Sequence, residues 1–97
     1  MTYDEAIKSK PIVLVEFYAT WCSHCKAMAP VVDQLKEILE GRVDIVQLDV
    51  DLNQEACDQE RVQGTPTFIL YKNGAEVWRQ SGEMPGEQLL GIIEKYM

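Results

Sequence analysis

The sequence predicts an α/β domain in which a mixed sheet of about four strands carries helices on both faces, and three observations lead there. A nearly continuous apolar run, Pro11 to Tyr18, has the β-branched and aromatic content of a strand covered on both sides. A long amphipathic stretch follows from Ser23 to about Glu40, the strand-then-helix succession of a layered domain. Farther on, Lys72-Asn73-Gly74 separates two β-rich runs with hairpin turn chemistry, so those strands should be antiparallel.

The elements follow in chain order. Thr2 and Glu5 have the spacing of a capping box, opening a helix expected from about Tyr3 to Ser9, with Pro11 beyond its end. The strand from Pro11 to Tyr18 contains one discordant residue, Glu16. In the next helix Met28, Val31, Val32, Leu35, Ile38 and Leu39 form an apolar face, while Asp33, Lys36, Glu37 and Glu40 fill the other. Gly41 should stop it, and Pro30 inside it should kink it, because proline has no N–H to donate and crowds the preceding turn. Val43 to Val50 reads as a second strand, after which Asn53 should cap a helix from about Gln54 to Arg61. Gly64-Thr65-Pro66 breaks the chain before the strand Thr67–Tyr71, and Glu76–Gln80 completes the hairpin. Pro85 opens a last helix whose apolar positions are Leu89, Leu90, Ile92, Ile93 and Tyr96. The expected order is α-β-α-β-α-β-β-α in a single domain over residues 1–97.

Composition narrows the functional classes. A chain of 97 residues with 46% hydrophobic and 26% charged side chains suits an ordinary globule with one core. The formal charge of −7 would repel a phosphate backbone or an anionic membrane surface, so neither nucleic acid nor membrane is an expected partner. No stretch approaches the length of a membrane span, and the first residues lack the basic start and apolar core of a signal peptide, so a cytoplasmic address is expected. Three cysteines are too few, and odd in number, for a disulfide-stapled scaffold.

Two of them, Cys22 and Cys25, stand two residues apart where the buried strand meets the helix start. Cys22 would there meet unpaired backbone N–H groups and the positive end of the helix dipole, which favour thiolate over thiol. The pair therefore reads as a redox dithiol in which Cys22 attacks a substrate disulfide and Cys25 resolves the mixed disulfide. The alternative, half of a zinc site, needs two further ligands, and the chain offers only His24, wedged between the cysteines, and the isolated Cys57. No metal or other cofactor is expected. Glu16, six residues before Cys22 in an apolar strand, should have a raised pKa and serve as the base that deprotonates Cys25, unless it simply reaches solvent at the strand end. His24 could stabilise the Cys22 thiolate, making the disulfide more oxidising, or could be an exposed helix histidine.

The run Val15-Glu16-Phe17-Tyr18-Ala19-Thr20-Trp21-Cys22-Ser23-His24-Cys25-Lys26, followed by Ala29-Pro30, resembles the thioredoxin family, and in particular a catalytic domain of protein disulfide isomerase. Gly64-Thr65-Pro66-Thr67, Lys72-Asn73-Gly74 and Ser81-Gly82 match the same family in order and spacing. The resemblance implies a thioredoxin fold and a cis peptide bond at Pro66 facing the dithiol. It also implies that the Thr65 backbone pairs with an extended substrate segment, and that Trp21 and Gly82 line a shallow groove. Ser23 and His24 stand where thioredoxins have Gly-Pro and the isomerases Gly-His, so Ser23, His24 and Lys26 become candidates for tuning the couple. The lysine that commonly accompanies the family's buried acid is replaced by Gln47. The residues before Leu14 read as helix, so four strands are expected rather than the family's five. Cys57 matches no catalytic position and reads as a bystander, with a regulatory thiol as the minority reading.

The resemblance thus implies a monomeric protein-disulfide reductase whose dithiol a partner reductase regenerates. Two competing readings are an oxidase or isomerase in an oxidising compartment, favoured by His24, and a non-catalytic module that binds through the Pro66 groove.

Overall fold

The structure, a computed structural model, describes residues 1–97. Its elements are α1 (Tyr3–Ala6), β1 (Ile12–Tyr18), α2 (Ser23–Leu39), β2 (Asp44–Asp49), α3 (Gln54–Gln59), β3 (Thr67–Lys72), β4 (Ala75–Ser81) and α4 (Gly86–Tyr96). The succession is the expected one. The four strands lie in the order β2-β1-β3-β4, with β1 parallel to β2 and antiparallel to β3, and β3 antiparallel to β4.

The strand β1 is buried on both faces because its alternate side chains serve two cores. Ile12 and Leu14, with Phe68 and Leu70 of β3, pack under Met28, Val32, Leu35 and Leu39 of α2 and Leu89 and Ile93 of α4. Val13, Val15 and Phe17, with Ile69 and Tyr71, meet Ile7 and Cys57 on the opposite side. The two-residue period of a strand assigns Glu16 to the same face as Ile12 and Leu14, beneath α2 and α4. The helix α2 runs unbroken through Pro30 and ends before Gly41, whose φ of +82° suits glycine.

Local turn chemistry explains the element ends. Asn73 and Gly74 have φ of 51° and 82°, the two positive values that a type I′ hairpin turn requires. The capping box forms, with the Thr2 hydroxyl accepting from the Glu5 N–H and the Glu5 carboxylate accepting from the Thr2 N–H. Yet α1 ends at Ala6, three residues earlier than expected. Lys8 and Ser9 donate to carbonyls only three residues back, tightening the chain as it approaches Pro11. The helix α3 likewise stops at Gln59, two residues short of the expected Arg61, because Arg61 is left-handed at φ 56° and the Val62 N–H donates to the Cys57 carbonyl at 2.9 Å. That is the reverse turn that closes many helices. The expectation for Asn53 also needs correction: it occupies the cap position, but its side-chain amide donates back to the Asp49 carbonyl at 2.9 Å and caps nothing. No helix is long and apolar enough to cross a membrane.

Candidate active site

The chain leaves β1 at Tyr18 and turns through Ala19, to whose carbonyl the Cys22 N–H donates, so that Cys22 arrives as the N-cap of α2 in an extended conformation. In that position its sulfur takes the role that a serine or aspartate oxygen plays at other helix starts. The Cys22 Sγ accepts from the Cys25 N–H at 3.3 Å, and the thiol can donate to the Thr65 carbonyl at 3.4 Å. All three cysteines are free thiols, and Cys22 and Cys25 are each only 6% exposed.

The two thiols are made unequal by what surrounds them. Contact with the Cys25 side chain, then with Thr65, lowers Cys22 to about 7. Burial in the first turn of the helix, then the neighbouring Cys22, pushes Cys25 up to about 11. Near neutral pH one sulfur is substantially thiolate while the other keeps its proton, the division of labour that an attacking and a resolving thiol need.

Thr65 is joined to Pro66 by a cis peptide bond, as the family resemblance implies. The loop is held from behind, where the Gly82 N–H donates to the Pro66 carbonyl at 2.8 Å and the Thr67 hydroxyl reaches both the Gly64 carbonyl and the Ser81 hydroxyl. A groove of about 580 Å³ opens beside the dithiol, with Trp21, Cys22, Ser23, His24, Asp51, Cys57 and Thr65 among its walls. Trp21 is 67% exposed, and its indole N–H donates to the Asp51 carboxylate at 2.9 Å, so an apolar plate stands in solvent beside the reactive sulfur. Gly82, left-handed at φ 97°, braces the proline loop through its hydrogen bond to the Pro66 carbonyl.

Glu16 is 2% exposed, so the strand-end alternative, in which the carboxylate reaches solvent, does not hold. Burial raises its pKa, opposed by a hydrogen bond from the Gln47 amide at 2.9 Å and by the charge of Lys36. Gln47 is the register partner of Glu16 across the parallel pair, and its own amide oxygen accepts from the Lys36 ammonium. The positive charge absent from β2 is therefore supplied from α2, one amide removed from the acid. Lys36 looks like an ordinary solvent-facing helix residue in the sequence, and no local pattern ties it to Gln47.

The remaining candidates lie at the groove rim. Ser23 and Lys26 are exposed on the first turn of α2, and Lys26 contributes its N–H to the Cys22 carbonyl. The His24 Nδ1 is paired with the Glu83 carboxylate in the loop between β4 and α4. Its pKa is raised by that hydrogen bond first, with the Cys22 charge a lesser influence. The cation expected to serve Cys22 is thus largely engaged elsewhere. Cys57, on the inner face of α3, is 5% exposed, and burial raises its pKa, which favours the protonated thiol. With His24 on Glu83 and Cys57 in α3, no group of three potential ligands gathers at the dithiol.

A helix-capping dithiol on a β2-β1-β3-β4 sheet, faced by a cis-proline loop, defines a thiol-disulfide oxidoreductase. Comparison with known proteins agrees. Residues 1–95 match the family model of thioredoxin. Thioredoxin of Staphylococcus aureus is 38% identical over 95 residues, which make up 98% of this chain and 90% of that protein. The chloroplastic thioredoxin Y of Oryza sativa subsp. japonica is 36% identical over 94 residues, 96% of this chain but 56% of that longer protein. Among solved structures, a mutant thioredoxin from Halobacterium salinarum superposes with a TM-score of 0.87 at 33% identity, covering 96% of this chain and 80% of its own. Plasmodium falciparum thioredoxin gives 0.86 at 33% identity, covering 98% and 91%. The chain belongs to the thioredoxin family.

Proposed function

We propose that this chain is a thioredoxin-type protein-disulfide reductase acting as a single cytoplasmic domain and a monomer. The observation that carries the reading is the placement of the Cys22 Sγ between the Cys25 N–H and the Thr65 carbonyl at the edge of an open groove. There a thiolate is stabilised and a disulfide can approach along the proline loop.

In the reaction, the Cys22 thiolate attacks one sulfur of the substrate disulfide, and the other leaves as a thiolate that takes a proton from water. Cys25 then gives its proton to the Glu16 carboxylate, through a water where direct reach is lacking, and attacks the Cys22 sulfur. The second substrate sulfur leaves as a thiolate and takes a proton from water, the substrate has gained two electrons, and a Cys22–Cys25 disulfide remains. A partner reductase returns those electrons. The two thiols carry the electrons and Glu16 the proton, so the reaction calls for no bound metal or nucleotide. Trp21 and the Thr65 backbone seat the substrate, while Pro66, braced by Gly82, shapes the loop that presents it.

Alkylation of the reduced protein near pH 7 tests the assignment. Cys22 should be labelled first and nearly alone, since its pKa of about 7 lies near that pH and that of Cys25, about 11, lies far above it. First labelling at Cys25 or Cys57 would reverse the roles. His24 supports a second reading, an oxidase or isomerase, because a cation beside Cys22 favours the reduced dithiol.

A further inference from the structure

A histidine between the two cysteines pulls toward an oxidising couple, whereas disulfide reduction asks for a reducing one. The structure contains a group placed to resolve that conflict. Glu83 follows Gly82, whose N–H is tied to the Pro66 carbonyl, so the loop that braces the proline also delivers a carboxylate to the His24 Nδ1. The side chains are 65% and 46% exposed, which makes this a surface pair spanning the groove rim rather than a core element. Glu83 and Cys22 are the charged groups that act on the imidazole.

An imidazolium alone near Cys22 attracts the thiolate, stabilises the reduced dithiol and raises the reduction potential. An imidazolium bonded to a carboxylate presents almost no net charge, and its effect at the sulfur falls from that of a charge to that of a small dipole. We propose that Glu83 is a positioning residue that neutralises His24 and thereby lowers the reduction potential of the Cys22–Cys25 pair. This deepens the reductase reading and rests on it. The dithiol keeps a histidine, while Glu83 withholds most of its charge from the nucleophile.

The test compares wild type, Glu83→Gln, His24→Gln and the double variant by two measurements: the pH profile of Cys22 alkylation, and the dithiol-to-disulfide ratio in a glutathione buffer near pH 6, below the ordinary pKa of an unpaired imidazole. In Glu83→Gln the Cys22 titration should move to lower pH, and the ratio should shift about threefold toward dithiol, the size that one exposed charge contributes. The difference should fade above about pH 8, where an unpaired imidazole is neutral. In the double variant both quantities should return to wild type, since no imidazolium is left to be released. An unchanged Glu83→Gln protein would overturn the proposal. So would a double variant that keeps the shift, because Glu83 would then act on Cys22 without His24. The wild-type ratio alone judges the reductase reading, and the differences between variants judge Glu83, so the two can fail separately.

Discussion

Cys25→Ser is expected to convert the protein from a catalyst into a trap. Its Cys22 sits at the helix start with the backbone N–H of position 25 still in place, because that hydrogen bond comes from the main chain and survives the substitution. The first exchange therefore proceeds, and one substrate thiol is released per chain. The mixed disulfide then persists, since a serine hydroxyl cannot displace a thiolate from sulfur under these conditions. Steady-state reduction of a protein disulfide should fall below detection, while one covalent adduct per chain accumulates and disappears on adding a small dithiol. Cys22→Ser should give neither turnover nor adduct. An adduct forming through Cys25 or Cys57 in that variant would place the nucleophile elsewhere.

Glu16→Gln should slow resolution of the mixed disulfide by about a hundredfold, the lower end of what a positioned proton acceptor supplies. The buried Cys25 thiol, held near 11, cannot ionise rapidly without a local base. The substituted side chain keeps the hydrogen bond from Gln47, because its amide oxygen accepts where the carboxylate did, so the loss isolates proton transfer. Rapid mixing of the wild type with a disulfide substrate should show a resolving rate that rises with pH as Glu16 ionises, and a flat, slow profile in the variant. Equal rates would remove Glu16 from the mechanism. Stability should move the opposite way. The folded-state pKa of Glu16 is raised above its ordinary 4.5, so between that value and its folded value the native state binds more protons than the unfolded chain, and stability falls as pH rises. Denaturant unfolding at pH 5 and pH 8 should show this decline in wild type. It should be smaller in Glu16→Gln, which gains relative stability at the higher pH.

Much of this is legible in the sequence because it is local. The run Ile12–Tyr18 announces burial on both faces by composition, Asn73-Gly74 announces a type I′ turn by its tolerance of positive φ, and the dithiol announces its helix start by following that strand directly. What stays hidden depends on residues brought together only by the fold. His24 and Glu83 are 59 positions apart, and nothing near either one indicates the pairing. The Lys36–Gln47–Glu16 chain joins a helix surface to a strand interior, so the missing strand lysine can be read but not its replacement. Asn53 has the right identity for a cap and the wrong backbone, φ −135° and ψ 48°, and its amide is drawn to the Asp49 carbonyl instead. Helix ends shift by two or three residues for the same reason: Arg61 accepts a left-handed conformation that its residue type does not advertise.

The reduction potential of the Cys22–Cys25 couple tests the central claim most directly, and equilibration of the purified protein with a glutathione buffer, with the two thiols quantified by mass, would measure it. With His24 neutralised by Glu83, the value should lie on the thioredoxin side of the family, close to about −270 mV. A value near the −180 mV or so of protein disulfide isomerase would contradict a reductase and move the protein to oxidation or isomerisation.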